Sequence, residues 1–451
     1  MLWCAASIHI TASVDWRMPK THWSARLPFY YGWIVVAVAF TTMAIGVNSR
    51  TAFSLLYPAI LDEYGWDRGA TSGIFAFGFL ASMLITPFVG TLMERFGPQR
   101  VIPVGALTIA LGLGLTPFIN SLWGLYLTLG ALTVGGSVAV SYIGHTTFLP
   151  NWFVSRRGLV LGITFSGVGV GGIVLFPSLQ GFIESVGWRE ACLGLAALIV
   201  ITIVPLNIIA QRRKPEDLGL LADGAAPGAQ GAPGQTEEIV DKAFAAIDWT
   251  YARIAREPRF WAVVFAYLFS LFNHYAVQVH QTKFFIEAGF SVSEGAWALG
   301  LMVLIGIPGQ IAVGWISDRI GREWGWALAM LGYIICFITF LFMLEGASHW
   351  QLYLCVAAVG LLGAGTAPLF GAIGAELFGG RWYGRVFGLL GVACSIGAAS
   401  GAWLTGVLYD VTGSYAFGFQ MCIGFAIASA VCIGYAGPGR VRPVSGRRTA
   451  H

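Results

Sequence analysis

Arg50 stands in Asn48-Ser49-Arg50-Thr51, inside an apolar stretch that runs from residue 31 to 57. A guanidinium at that depth costs roughly 3 kcal/mol or more to place in a bilayer, so it needs a partner or a water-filled cavity. No Asp or Glu occupies the middle of any apolar stretch; Glu94, Glu184, Glu287, Glu323, Glu345 and Glu376 all fall at or near the ends. The absent counter-anion can then be a substrate, because the guanidinium fork matches the geometry of a carboxylate. The plainer alternative is that Arg50 snorkels to the outer surface or pairs with Asp62 or Glu63 just beyond the stretch.

The same lack of buried acids bears on ion coupling. A group that titrates near neutrality within the membrane reduces to histidine. His145 lies in the fourth apolar stretch, one helical turn from Tyr142. His274 is near the middle of the seventh and His280 in its outer half. Asn273 and His280 are seven residues apart and share a helix face, while His274, Gln278 and Gln281 form a neighbouring stripe. For any one of these histidines, a satisfied bond between helices is the bland explanation. Lys283, near the outer end of the same stretch, is expected to snorkel rather than bind.

These side chains must be held by helices, and the sequence repeats in a way that says how. Gly90-Thr91-Leu92-Met93-Glu94-Arg95-Phe96-Gly97 returns in altered form as Gly314-Trp315-Ile316-Ser317-Asp318-Arg319-Ile320-Gly321, 224 residues later. Arg157-Gly158 and Gly162 correspond likewise to Tyr383-Gly384 and Gly388, at an offset of 226. A duplicated chain with this spacing predicts two parallel six-helix halves related by an axis along the membrane normal.

Composition agrees with a membrane as solvent. Hydrophobic residues make up 57% of the 451 residues and charged residues 11%, against about 25% charged in soluble domains, and mean hydropathy is +0.73. Twelve apolar stretches approach the roughly 20 residues that a spanning helix needs: 31–57, 69–92, 101–119, 122–149, 157–183, 190–210, 259–286, 294–317, 325–344, 350–377, 384–409 and 414–436. The expected organisation is an N-terminal tail over 1–30, a six-helix half over 31–210, a polar linker over 211–258, a second half over 259–436 and a tail over 437–451. The linker holds a Gly/Ala/Pro/Gln-rich run from Ala225 to Gln235 that cannot fold alone. A more regular segment follows from Glu237 to Arg256.

With the tails and linker in the cytoplasm, 22 of the 26 Lys and Arg residues fall on that side. Only Arg68, Arg189 and Lys283 lie outside. The basic residues are therefore topology signals, and no nucleic-acid partner is implied. Six of the seven cysteines sit in predicted spans with no metal-ligand spacing. No phosphate-binding Gly-x-x-x-x-Gly-Lys motif, acid–base pair or metal cluster is present, so the reading includes no cofactor and no enzyme chemistry. Strings such as Gly167-Val168-Gly169-Val170-Gly171 lie inside apolar helices and mean close packing.

The doubled phrase resembles the signature of the major facilitator superfamily, G-x-L-x-D-R-x-G-x-x-R. Gly90, Leu92, Arg95, Gly97 and Arg100 match it, with Glu94 in place of Asp; Gly314, Asp318, Arg319, Gly321 and Arg322 match the second copy. Within that superfamily the chain is most similar to the monocarboxylate and oxalate/formate type. The similarity rests on Tyr31-Gly32-Trp33, Gly65-Trp66, Trp152-Phe153 with Arg156-Arg157-Gly158, and Glu376-Leu377-Phe378-Gly379. The resemblance implies an all-α membrane fold of twelve helices and transport by alternating access. It also implies gating roles for Gly90, Glu94, Arg95, Gly97, Arg100, Asp318 and Arg319, with Glu376 and Arg381 or Arg385 as a further latch. Carriers of this type have a basic residue near Arg50, although a gap-free alignment places Thr51 there, and bacterial relatives often carry Val-His, as Val279-His280 does. They also carry an arginine in the eighth span where this chain has Gln310, and no acid stands a turn earlier.

These expectations describe a monomeric carrier of a small organic anion, in the bacterial inner membrane, driven by proton symport or anion exchange. Arg50 is the expected anion clamp and His280 or His274 the coupling group, with Tyr142, His145, Asn273 and Gln310 as further polar contacts. An efflux pump for amphiphilic compounds and a non-transporting sensor are the alternatives.

Overall fold

In lipid a backbone can satisfy its N–H and C=O groups only within a helix or a closed barrel. The computed structural model, which describes residues 28–153, 157–222, 251–378 and 383–440, takes the helical solution and contains no strand among those residues. Among the described residues, twelve helices are long and apolar enough to span a membrane. Spans 1 to 6 are Gly32–Tyr64, Arg68–Phe96, Pro98–Phe118, Leu122–Trp152, Leu159–Val186 and Trp188–Ala210. Spans 7 to 12 are Pro258–Glu287, Val292–Ile320, Arg322–Met343, His349–Phe378, Val386–Thr412 and Ala416–Ala436.

Span 1 runs further than the apolar pattern suggested. It continues through Pro58 to Tyr64 and stops at Gly65, whose φ of +63° closes the helix. Asp62 and Glu63 therefore sit in its last turn rather than beyond it. Of the regular segment expected from Glu237, only the short helix Tyr251–Ile254 lies within the described residues.

Glycine sets the approach of the helices. A Cβ at Gly167 or Gly171 of span 5 would stand 2.5 or 2.3 Å from the Phe40 or Ala44 carbonyl of span 1. A Cβ at Gly397 or Gly401 of span 11 would stand 2.2 Å from the Leu268 or Phe272 carbonyl of span 7. The same small-residue contact is thus built twice, once in each half. Between the halves, span 2 packs along span 11 and span 5 along span 8.

The duplication extends to a defect. Span 4 passes through a π-helical segment, Tyr126–Gly135, into a 3-10 turn at Ser137–Val140. Span 10 does the same at Ala358–Leu362 and Gly363–Gly365, and the two 3-10 turns begin 226 residues apart. The apolar pattern of these spans gives no hint of it. Gly97 and Gly321, at φ +77° and +109°, turn span 2 into span 3 and span 8 into span 9.

Candidate substrate site and gate

Arg50 reaches the interface between the halves at mid-depth of span 1. Its Nη2 donates to the Tyr275 hydroxyl of span 7 at 3.4 Å, and its guanidinium lies 5.5 Å from the Phe79 ring centroid. Its Nε is buried without a partner. Neither Asp62 nor Glu63 serves it. Asp62 accepts from Lys283 at 2.7 Å, and Glu63 accepts from Arg189 at 2.5 Å and from the Trp188 indole at 2.7 Å. Among the described residues, no carboxylate pairs with Arg50. Arg50 itself is half-buried, and a buried, unmet N–H on a guanidinium is a standing demand for an acceptor.

The groups around it come from both halves. Phe79 of span 2 packs edge-on against Tyr275, with centroids 4.5 Å apart. Tyr142 of span 4 lies within electrostatic reach of Arg50 and Tyr275, its ring against Phe165 at 4.8 Å. His274 is within reach of Arg50 as well and shares a hydrogen bond of 2.9 Å with the Tyr333 hydroxyl of span 9. Gln278, one turn along, donates to Thr51 at 3.2 Å and leaves its carbonyl oxygen buried and unpartnered. Tyr275 was not singled out in the sequence, because a tyrosine at helical spacing reads as core.

The other expected contacts are placed elsewhere. His145 gives its Nδ1 to the Ser141 carbonyl at 2.9 Å, and its Nε2 is buried without a partner. Asn273 is fully buried, and neither end of its amide has a partner. Gln310 is half-buried in span 8. His280 lies two turns along span 7 from His274, where it bonds the Ala402 carbonyl at 2.8 Å and the Tyr415 hydroxyl at 3.3 Å. The structure therefore gathers Arg50, Tyr142 and His274 and sends His280 to a different cluster.

That cluster latches the halves at the end opposite the linker. Arg68, the first residue of span 2, binds both carboxylate oxygens of Glu287 at the end of span 7, with Nη1 to Oε2 at 2.9 Å. Its Nη1 also donates to Tyr415 at 2.7 Å, and its guanidinium lies 3.5 Å from the centroid of the Tyr409 ring. Asp410, at the end of span 11, accepts from the backbone N–H groups of Arg68 and Gly69 at 2.9 and 2.6 Å. These are the free amides of a helix start, where a carboxylate is favoured. The hydroxyls of Ser54 and Thr282, 3.0 Å apart, add a neutral contact. The only three basic residues assigned outside thus each meet an acid. Arg68 and Lys283 do so across the two halves and Arg189 within one.

At the linker end the motif charges bind within their own halves. Asp318 pairs with Arg322 at 2.5 Å, and Arg322 pairs with Glu376 at 2.8 Å. Arg319 lies over the Trp315 ring at 3.5 Å and Arg95 over Phe96 at 5.3 Å. Arg213, at the start of the linker, donates to the Glu94 carbonyl, capping the end of span 2. Arg100 is exposed, and a Cβ at Gly90 would meet nothing within 4 Å. The side chain of Arg385, like residue 381, lies outside the described residues. Phrases that the sequence holds far apart meet here: Tyr30 donates to the Trp152 carbonyl at 3.0 Å, Tyr31 to the Ala210 carbonyl at 2.8 Å, and Trp33 packs on Phe153 at 5.1 Å.

Among the described residues, twelve spans in two repeated halves, with a cation that lacks a carboxylate partner and a latch between them, have the architecture of a transport protein. The profile of the Major Facilitator Superfamily matches residues 32–347 and 287–450, and the chain belongs to that family. It is similar to Monocarboxylate transporter 13 of Rattus norvegicus, 26% identical over 401 residues that cover 88% of this chain and 87% of the relative. It is also similar to Monocarboxylate transporter 11 of Mus musculus, 25% identical over 88% of this chain and 86% of that one. Among solved structures, a bacterial homolog of the human lysosomal transporter Spinster, inward-facing and occupied, shares the fold at TM-score 0.65 and 16% identity, over 90% of this chain and 97% of that one. The nucleoside transporter NupG does so at TM-score 0.67 and 11% identity, over 90% and 100%.

Proposed function

We propose that the protein carries a small organic anion, a carboxylate, by alternating access, coupled to proton symport or to exchange of another anion. The observation that carries this reading is Arg50: a half-buried arginine at the interface of the halves, with a buried, unmet Nε–H and no carboxylate partner among the described residues. An anion entering between the halves would receive the fork of Arg50 and the hydroxyls of Tyr142 and Tyr275. Because these groups belong to both halves, the bound anion would help to draw the halves together. The likeness to monocarboxylate transporters supports the substrate class.

His274, beside Arg50, and His280, beside the latch, are the coupling groups of this proposal, with Asn273, His145 and Gln310 as secondary polar contacts. On this reading the protein sits in a bacterial inner membrane with its tails and the 211–258 linker in the cytoplasm and the Arg68 latch outside; the bias of the basic residues supports that orientation. Glu94, Arg95, Asp318, Arg319 and Glu376 then form the opposing gate, whose cross-half bonds belong to the alternate conformation.

Purified protein in liposomes, offered labelled carboxylates with and without a pH gradient, tests the reading. Uptake or exchange that depends on Arg50 is expected. No transport of any anion would sink it, and so would Arg50→Ala behaving as wild type. Export of lipophilic cations that survives Arg50→Ala would favour an efflux pump instead.

A further inference from the structure

His280 and the latch form one chain of hydrogen bonds with a defined direction. The Ala402 carbonyl can only accept, so Nε2 of His280 carries a proton and donates to it at 2.8 Å. In the neutral ring Nδ1 is then an acceptor, and it takes the Tyr415 hydroxyl proton at 3.3 Å. The Tyr415 oxygen in turn receives the Arg68 N–H at 2.7 Å. The order is Arg68 to Tyr415 to His280 to Ala402.

We infer that Tyr415 is the positioning residue through which proton uptake at His280 releases the Arg68 latch, an inference that rests on the alternating-access reading above. A second proton on His280 sits on Nδ1. The Tyr415 oxygen then faces two donors, Arg68 and His280, and its own hydroxyl proton has lost its acceptor. Charge acts in the same direction. His280, Tyr415, Glu287 and Asp410 belong to the C-terminal half, whereas Arg68 belongs to the other. While His280 is neutral, Glu287 takes its counter-charge from Arg68, and Asp410 takes its partners from the backbone N–H groups at Arg68 and Gly69. A protonated His280 puts a second cation within electrostatic reach of Arg68, and the two repel across the latch.

The other groups facing this cluster do not offer an alternative sensor. From span 1, the Tyr57 ring meets His280 edge-on at 5.4 Å, and its hydroxyl donates to the Arg68 carbonyl at 3.3 Å. Lys283, on His280's own helix, is paired with Asp62. Tyr409 lies against Arg68 from span 11. Among these neighbours, His280 is the only side chain whose ordinary titration falls between pH 5 and 8.

The test uses the full chain in nanodiscs, with native cysteines replaced by alanine and nitroxides attached at Ser185→Cys and Ala347→Cys, one in each half at the latched end. Distances are recorded without substrate from pH 8 to pH 4. The wild-type background is expected to show the long-distance population rising about fivefold or more as pH falls. Tyr415→Phe is expected to abolish this dependence while keeping the Arg68–Glu287 pair, and His280→Gln to hold the latch closed at every pH. A pH response that persists in Tyr415→Phe, or none in the background protein, would overturn the inference. Arg50→Ala separates the two proposals. It should lose anion transport yet keep the pH-driven opening, so transport by Arg50→Ala would refute the carrier reading without touching the gate.

Discussion

Arg50 of span 1 and Tyr275 of span 7 meet across the two halves, guanidinium Nη2 to hydroxyl, at 3.4 Å. The bond is long for its type, and it leaves the Nε of Arg50 unused. A neutral hydroxyl thus occupies one side of a guanidinium whose natural complement is a carboxylate.

Arg50→Ala should therefore weaken binding of the transported anion by about 30-fold or more, since truncating one partner of a hydrogen-bonded charge pair costs about 2–5 kcal/mol. Arg50→Lys should recover only part of that loss, because an ammonium cannot present two parallel N–H groups to a carboxylate. Tryptophan-fluorescence titration on detergent-purified protein measures both. Full recovery by lysine would mean that charge alone, without the fork, suffices.

Arg68 and Lys283 both cross between the halves, yet they should differ sharply in effect. Lys283 pairs with an Asp62 side chain that is 68% exposed, and exposed pairs contribute about 0.2–1 kcal/mol. Arg68 is 12% exposed in its side chain and gathers Glu287 and Tyr415. Arg68→Gln should make thiol labelling of a cysteine placed near this end at least tenfold faster than Lys283→Ala does. Equal rates would remove Arg68 as the principal latch.

The sequence disclosed the scaffold because its signals are local or repeated: apolar length, glycine spacing and the phrase at Glu94-Arg95 and Asp318-Arg319. Arg50 also stood out, as a lone charge in an apolar stretch. The latch did not stand out, since Arg68 and Glu287 are 219 residues apart and each looks like an ordinary charge at a helix end. The signal was present all the same: only three basic residues were assigned to that side, and acids lay at the neighbouring span ends. Tyr275 was missed beside His274 because an aromatic residue in an apolar span reads as packing. The π-helical segments of spans 4 and 10 depend on packing between helices, which apolar periodicity does not encode.

Gly97 and Gly321 should each resist substitution for a backbone reason. At φ +77° and +109° an L side chain is strained, and Gly97→Ala or Gly321→Ala should cost about 1–2 kcal/mol. Thermal unfolding in detergent should show a lower Tm for each. Gly90→Ala, in the same motif but at a helical position with open space around its Cβ, should leave Tm unchanged or raise it slightly. Equal losses at all three positions would show that the motif glycines act through packing instead.

Gly397 and Gly181 provide a sharp contrast among the helical glycines. At Gly397 a Cβ would lie 2.2 Å from the Leu268 carbonyl and 2.9 Å from its Cα, both backbone atoms. Span 11 could accommodate it only by moving away from span 7, which would disturb a close helix pair in the C-terminal half. Overpacking of this kind costs about 1–3 kcal/mol, and Gly397→Val adds two further methyl groups. Nothing lies within 4 Å of a Cβ at Gly181, in span 5, so Gly181→Val removes no contact between helices. Gly397→Val should therefore fall out of the monodisperse peak on size-exclusion chromatography or melt at least 5 °C lower, while Gly181→Val should behave as wild type. The contact at Gly171, with a Cβ 2.3 Å from the Ala44 carbonyl, predicts the same failure in the other half. If Gly171→Val and Gly397→Val both folded with unchanged Tm, close backbone approach would not be what holds spans 1 and 5, or spans 7 and 11, together.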